Sequence, residues 1–188
     1  MTALPKTRLS EQEYLAGERD GLVRHEYIDG EVHAMAGASR AHGVILNALA
    51  FALTPKARRK SCQLYTSDMK VRLTLGDKTI FYYPDLVLIC QPDDKDPYFS
   101  TQPRLIVEIL SESTERIDRR EKLLSYIRID SLVEYVIVEQ ARRSVEIYRR
   151  RNDWLPDTVE ETGEVQLDSL ECTLTLDDIY ADLALLGS

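Results

Sequence analysis

Apolar and polar positions follow helical spacing in some parts of the chain and strand spacing in others. Ser10 with Glu13 three residues later is typical of a helix start, and this helix is expected to run to about Arg19. A second helix is predicted over residues 39–56, where apolar residues recur at i, i+4 and i+5. A third is predicted over residues 114–127. Its inward apolar residues are expected to be Ile117, Leu123, Leu124 and Ile127.

Strand-like runs occupy most of the remaining chain. Asp29-Gly30 separates two of them and is a strong hairpin signal. Further strands are expected at 63–75, 79–82, 85–90, 104–110, 134–138 and 144–148, and in a final pair before a short helix near 176–183. This order predicts a mixed α/β fold with a mixed central β-sheet flanked by helices, preceded by an N-terminal helix and hairpin.

Length and apolar content fit one domain over residues 1–188. The chain has 188 residues, of which 44% are hydrophobic, so it can bury a core without disulfides. No run approaches the ~18 apolar residues of a membrane helix, and no apolar signal core follows Met1. We therefore expect a cytoplasmic chain without membrane contact. Its cysteines, Cys62, Cys90 and Cys172, are widely spaced and are interpreted as reduced thiols.

The net charge of −8 is unevenly distributed. Residues 152–188 contain ten acidic residues and no Lys or Arg, and are interpreted as an acidic extension of the same domain. The preceding part carries 24 basic and 22 acidic residues, a net charge of 24 − 22 = +2. Its basic clusters are Lys56 to Lys60, Arg142 with Arg143, and Arg149 to Arg151. They are either a solvated face or a surface that follows phosphates.

Two carboxylates stand in otherwise apolar strands. Asp85 opens the run 85–90, and Glu108 interrupts the run 104–110. A carboxylate in a buried sheet is costly unless it is paired or holds a cation. The two strands are consecutive, so both acids can face the same side and form an oxygen site suited to Mg²⁺ or Mn²⁺. The alternative is a salt bridge, for example to Arg104, or exposure at a strand end.

Seven ordered patterns resemble the Uma family of restriction-endonuclease-like proteins, within the PD-(D/E)xK nuclease superfamily. The strongest are Tyr83-Pro84-Asp85-Leu86-Val87-Leu88-Ile89 and the run from Leu105 to Thr114 with Glu108 inside it. The others are residues 26–32, His42 after 36–39, residues 67–71, the Asp118/Lys122/Tyr126 spacing and residues 134–138. The resemblance covers nearly the whole chain.

The resemblance implies a restriction-endonuclease-like core that hydrolyses phosphodiester bonds in DNA with Mg²⁺ or Mn²⁺. Asp85, Glu108 and the main-chain carbonyl of Ile109 would be the metal ligands. The metal would polarise the scissile phosphate and lower the pKa of an attacking water. The family's lysine two residues after the glutamate is absent, because Leu110 stands there.

Lys122 is the best substitute for that lysine. Asp118, Lys122 and Tyr126 lie four residues apart and share one helix face, so they can present the ammonium to within about 6 Å of Glu108. The alternative is a surface ion pair between Asp118 and Lys122. Lys70 is the second candidate.

Three further residues are accessory candidates. Glu26 could add a carboxylate or be an exposed strand residue. His42, in the first turn of its helix, could help to place a phosphate or be a structural histidine. Asp68 could reach the site from between two strands.

The leading hypothesis is therefore a metal-dependent DNA endonuclease that acts as a homodimer, because cutting a duplex needs two sites. A catalytically inactive nucleic-acid-binding or assembly module is the alternative, which Leu110 favours. A hydrolase acting on another phosphate ester is a third class.

Overall fold

A computed structural model describes residues 8–111 and 117–187. The helices are α1 (Glu11–Asp20), α2 (Arg40–Arg59), α3 (Leu123–Tyr126) and α4 (Leu176–Tyr180). A π-helical turn over Ile117–Lys122 runs directly into α3, and 3₁₀ turns cover Arg150–Asn152 and Ala181–Leu186. The strands are β1 (His25–Ile28), β2 (Glu31–Ala34), β3 (Gln63–Thr66), β4 (Lys70–Leu75), β5 (Lys78–Tyr82), β6 (Leu86–Ile89), β7 (Phe99–Ser100), β8 (Pro103–Leu110), β9 (Glu134–Glu139), β10 (Ser144–Arg149), β11 (Pro156–Glu160), β12 (Glu164–Leu167) and β13 (Cys172–Thr175).

The strands form two main sheets, whereas the sequence pattern predicted one. The larger sheet has the order β11-β10-β9-β8-β6-β3, in which β8 and β9 are parallel and the other pairs antiparallel. The smaller has the order β2-β1-β5-β4-β7. Strands β12 and β13 form a separate hairpin. The predicted class, a mixed fold with helices beside mixed strands, is confirmed.

The larger sheet has an apolar layer on each face. On one face, Leu105, Val107 and Ile109 of β8 pack in a cluster with the buried side of α2, which includes Ile45 and Leu49. On the other face, apolar residues of both sheets form one cluster. Its members include Val71, Leu73, Ile80, Val87, Ile106, Leu110 and Ile137. The two sheets therefore face each other across this second layer, and the alternation along β8 directs Glu108 into it.

The predicted starts of the first two helices and the first hairpin are confirmed. Ser10 and Glu13 form a capping box at α1, and the Ser39 hydroxyl accepts from the backbone N–H of His42 at the start of α2. Asp29 and Gly30 link β1 to β2 with φ angles of 49° and 92°. These positive values explain the Asp-Gly pair.

The third helix differs from its prediction. Its expected first residues, 114–116, lie outside the described residues, and Leu124 is exposed rather than inward. The buried side chains of this segment are instead Asp118, Lys122, Ser125 and Tyr126. Lys122 and Tyr126 take the inward face because they donate hydrogen bonds to Glu108 there.

The prediction of three reduced cysteines is wrong for two of them. Cys62 and Cys90 form a disulfide, and Cys172 is free. Gln63 pairs with Ile89 in the antiparallel β3–β6 ladder, so Cys62 and Cys90 stand opposite each other one residue beyond it. A separation of 28 residues hid this pairing in the sequence.

The basic clusters are largely paired with acids or carbonyls of the chain. Arg142 contacts Glu139 and Glu160, Arg143 contacts Asp177, Arg149 contacts Glu134 and Asp157, and Arg151 contacts Asp168. The cluster from Lys56 to Lys60 lies at the C-terminal end of α2.

None of the helices within residues 8–111 and 117–187 has the length and apolar character needed to cross a bilayer.

Candidate active site

Asp85 and Glu108 lie next to each other where β6 begins and β8 ends, within the larger sheet. In the antiparallel β6–β8 ladder Leu86 pairs with Val107, and the register continued by one residue puts Asp85 opposite Glu108. Opposite residues of an antiparallel pair point to the same face. The sequence-based expectation that the two acids share a side therefore agrees with the register.

The carboxylate of Glu108 is buried and hydrogen-bonded. Its residue is 3% exposed, and Oε1 accepts from Nζ of Lys122 at 3.0 Å and from the hydroxyl of Tyr126 at 3.0 Å. Burial raises the pKa of Glu108 well above its ordinary value, and the nearby carboxylates of Asp118, Asp85 and Glu26 add to the rise, although Lys122 opposes it.

Lys122 lies among three carboxylates. Its Nζ is 3.0 Å from Oε1 of Glu26, 3.0 Å from Oε1 of Glu108 and 3.2 Å from Oδ1 of Asp118. Burial disfavours the charged form, but attraction to these three acids outweighs it and raises the pKa of Lys122 well above its usual value. Lys122 is therefore an ammonium ion, and its distance from Glu108 meets the expected limit of about 6 Å.

The helical spacing explains how these groups meet. Asp118 and Lys122 belong to the π-helical turn and Tyr126 ends α3, so all three project from one side of the segment. Glu26 arrives from β1 of the smaller sheet, whereas Glu108 belongs to β8 of the larger one. Lys122 thus connects the two sheets through ion pairs.

Asp85 is held by a backbone amide and a histidine. Its Oδ2 accepts from the N–H of Ile109 at 2.7 Å, and its Oδ1 lies 3.0 Å from Nε2 of His42. The hydrogen bond to Asp85 raises the pKa of His42 above its ordinary value, against the effect of burial. Because Ser39 caps α2 through the N–H of His42, the cap also fixes the backbone position from which the imidazole of His42 extends.

The site offers oxygen ligands of the kind that a hard cation prefers. Within residues 8–111 and 117–187 no group of three His, Cys, Asp or Glu side chains is arranged to hold a metal. The implied set is smaller, since it has two carboxylates and the Ile109 carbonyl. Nδ1 of His42 is buried there without a hydrogen-bond partner among the described groups, and Oδ1 of Asp118 has its ion pair with Lys122 but no hydrogen bond. Carboxylate and carbonyl oxygens match Mg²⁺ or Mn²⁺, and Nδ1 of His42 could bind one of its waters.

Two predicted accessory residues lie elsewhere. Asp68 is exposed and pairs with Arg24 at 3.2 Å. Lys70 is buried, but its Nζ donates to the hydroxyl of Tyr83 at 3.3 Å, and that hydroxyl in turn donates to Glu18 at 2.7 Å. Alternation explains this, because Val71 faces the layer between the sheets and Lys70 faces away from it.

Two aromatic residues at the site, Tyr82 and Tyr135, were not identified from the sequence, whereas Tyr126 was. The hydroxyl of Tyr135 donates to the backbone carbonyl of Asp118 at 3.0 Å, and the Lys122 ammonium lies 5.5 Å from the centre of the Tyr82 ring. The rings of Tyr82, Tyr126 and Tyr135 contact one another in series. The only sequence signal of Tyr82 and Tyr135 was a large residue with a polar tip in an apolar run.

Comparison with known proteins gives a family match over most of the chain. The family model Uma2, described as "Putative restriction endonuclease", matches residues 11–179. Two relatives come from Synechocystis sp. (strain ATCC 27184 / PCC 6803 / Kazusa), and both are described as uncharacterized. The protein slr1290 is 32% identical over 183 residues, which cover 96% of this chain and 95% of that protein. The protein sll1609 is 30% identical, with 87% and 94% covered.

A solved structure has the same fold. It is the crystal structure of a protein from Anabaena variabilis ATCC 29413 described as "a putative nuclease belonging to DUF820". The TM-score is 0.70 and the identity 16%, with 90% of this chain and 96% of that chain covered. At this identity the likeness shows the fold.

Proposed function

Since the chain belongs to the Uma2 family, we propose that it is a metal-dependent DNA endonuclease that hydrolyses phosphodiester bonds at the cluster of Asp85, Glu108 and Lys122. The observation that carries the proposal is the contact between the ammonium of Lys122 and the carboxylate of Glu108, which stands opposite Asp85. Lys122 lies 3.0 Å from Glu108, although Leu110 stands where a strand lysine is expected. The family description supports the nuclease class.

The proposal assigns the metal to Asp85, Glu108 and the carbonyl of Ile109. A bound Mg²⁺ or Mn²⁺ would polarise the phosphate and favour a hydroxide nucleophile. The N–H of Ile109 and the imidazole of His42 hold the Asp85 carboxylate in one orientation. Preorganised ligands need no rearrangement when the cation arrives.

Lys122 would stabilise the charge that develops on the phosphate. Its ammonium is retained because three carboxylates surround it, and the ring of Tyr82 covers one side. Asp118 and Glu26 would direct the ammonium as positioning residues. Tyr126 holds Glu108 through its hydroxyl and so keeps the carboxylate next to the lysine.

The experiment is a cleavage assay on supercoiled and linear duplex DNA, with Mg²⁺, Mn²⁺ or EDTA. Wild type is compared with Asp85→Asn and Glu108→Gln, and with Asp77→Asn as an exposed control in a turn. Calorimetric titration with Mn²⁺ in the absence of DNA follows binding separately. We expect one site of cation binding in wild type and the control, weakened in both site variants, together with metal-dependent cleavage.

The alternative is a nuclease-fold module that binds nucleic acid without cutting it. The loss of the strand lysine at Leu110 favours this reading. DNA retention by wild type with no cleavage in either metal, and no effect of Glu108→Gln on retention, would establish the alternative. Cleavage that is lost in Asp85→Asn and kept in Asp77→Asn would establish the endonuclease.

A further inference from the structure

An open groove runs along the outer side of α2. It has a volume of about 540 Å³ and spans a little over three turns of the helix. Its walls are Asn47, Ala48, Phe51, Ala52, Pro55, Lys56 and Arg59 from α2, with Leu174, Asp178 and Asp182 from the C-terminal region. None of these residues belongs to the candidate active site.

Phe51 lies in the middle of this groove and is 85% exposed. The neighbouring Ala48 and Ala52 are small, so the surface combines a projecting ring with shallow space beside it. Phe51 shares this groove with the apolar residues Ala48, Ala52, Pro55 and Leu174, and such a contiguous apolar patch with an aromatic residue in it is typical of interaction surfaces. Because the ring and the space occur on the same patch, the surface can fit a copy of itself.

The charges on the two walls of the groove favour one relative orientation of two copies. One wall carries Lys56 and Arg59, and the opposite wall carries Asp178 and Asp182. A two-fold axis that runs along the groove brings the basic wall of each copy against the acidic wall of the other. A two-fold axis across the groove would instead oppose like charges, which disfavours association.

We propose that a second copy of the chain docks in this groove around a two-fold axis parallel to α2. The two α2 helices then run in the same direction, and Phe51 of each copy packs into the space beside Ala48 and Ala52 of the other. The pairing is isologous, so each residue near the axis lies close to its own counterpart.

This arrangement places both candidate active sites at one end of the dimer. His42, which contacts Asp85, is nine residues before Phe51, or about 13 Å along the helix axis towards its N-terminus. Parallel helices therefore carry their two sites to the same side of the assembly. The functional meaning of this placement rests on the proposed function, since an enzyme that cuts duplex DNA would then have one site for each strand.

The first test measures the mass of the full chain in solution by light scattering from ~1 to 100 µM. We expect a dimer, and Phe51→Asp should raise its dissociation constant by on the order of 30-fold or more, as for a central aromatic of an interface. Leu22→Asp is the matched control, since Leu22 is fully exposed and outside the groove. A monomer at all concentrations, or equal effects of both substitutions, would overturn the proposal.

A crosslinking experiment tests the direction of the axis without any activity measurement. In a Cys172→Ser background, Asn47→Cys alone should be linked to its own counterpart by a short bis-maleimide. If the helices ran in opposite directions around Phe51, residue 47 of one copy would face residue 55 of the other. Linking only in a mixture of Asn47→Cys and Pro55→Cys would therefore contradict the proposed axis. Because neither readout depends on cleavage, an inactive but dimeric protein would separate this proposal from that of endonuclease function.

Discussion

The ammonium of Lys122 lies 3.0 Å from Oε1 of Glu108, although the two residues belong to different elements. Glu108 is on the central strand β8, and Lys122 ends the π-helical turn that follows it. A lysine two residues after the glutamate would extend from the same strand, but Leu110 packs there in the apolar layer between the sheets. The helix therefore supplies the cation that the strand lacks.

Replacing Lys122 by methionine should lower the cleavage rate about 100-fold or more. This is the scale on which enzymes lose rate when one charge-stabilising donor is removed. Single-turnover cleavage of plasmid DNA with Mn²⁺ in excess measures the effect. Lys78→Met provides the control, because Lys78 is an exposed lysine in β5. A Lys122→Met enzyme within threefold of wild type would refute the catalytic role.

The same substitution should also change stability in a pH-dependent way. Methionine leaves Glu26, Glu108 and Asp118 without their shared cation, and removal of one partner of a buried ion pair costs on the order of 3 kcal/mol. We expect this loss of unfolding free energy at pH 7. It should shrink as the pH falls, because protonation removes the repulsion between the carboxylates. Urea unfolding at pH 5, 6 and 7 measures it, and an equal deficit at all three values would speak against the three-acid arrangement.

Glu108→Gln should abolish cleavage without weakening the fold. Burial raises the pKa of Glu108, so the folded state holds this proton more tightly than the unfolded chain does, and stability falls as the pH rises from the unfolded pKa to the folded one. The glutamine variant should therefore be at least as stable as wild type in alkaline buffer. Thermal unfolding at pH 6 and pH 9 checks this expectation, with Tyr126→Phe as a partner variant that removes the hydrogen bond and keeps the charge.

His42 should stabilise the fold more at low pH than at high pH. Its pKa is raised by Asp85, so the stabilisation is complete below the unfolded value near 6.5 and is lost as the pH rises through the folded pKa. The difference in unfolding free energy between wild type and His42→Gln should follow that course. NMR titration of the His42 ring gives a second check, since Asp85→Asn should lower its pKa. An unchanged His42 titration in Asp85→Asn would disprove the coupling.

Removing the disulfide should destabilise the chain, because the bond closes a loop between residues 28 positions apart. The loop-entropy relation gives a loss of about 3.5 kcal/mol for Cys62→Ser with the partner also replaced by serine. Cys172→Ser is the matched control for a free cysteine. Denaturant unfolding with and without a reductant measures both, and wild type should lose the same amount on reduction.

Much of the site followed from local spacing. Strand alternation was enough to pair Asp85 with Glu108, and four-residue spacing was enough to align Asp118, Lys122 and Tyr126. Both rules describe neighbours within one element or between consecutive strands. They work here because β6 and β8 are adjacent in the sheet and because the helical segment returns directly over β8.

The features that could not be predicted depend on contacts between distant parts of the chain. The division of strands between two sheets cannot be read from alternation, because either sheet satisfies the same pattern. Lys70 shows the consequence. The run 63–75 was predicted as one strand, but it divides into β3 of the larger sheet and β4 of the smaller one, and the side chain of Lys70 faces α1 rather than Glu108. The Cys62–Cys90 bond likewise follows from a register that no local motif encodes.

The candidate site takes residues from both sheets, and this affects the point during synthesis at which the site can form. Glu26 is carried by the first hairpin and Glu108 by β8 of the other sheet, while β9, which flanks β8, begins only at Glu134. During synthesis a ribosome-bound chain that stops before residue 134 has every acid of the cluster but lacks the neighbour that completes the central strand. The site that carries the proposed cleavage is therefore expected to form only after most of the chain has been translated.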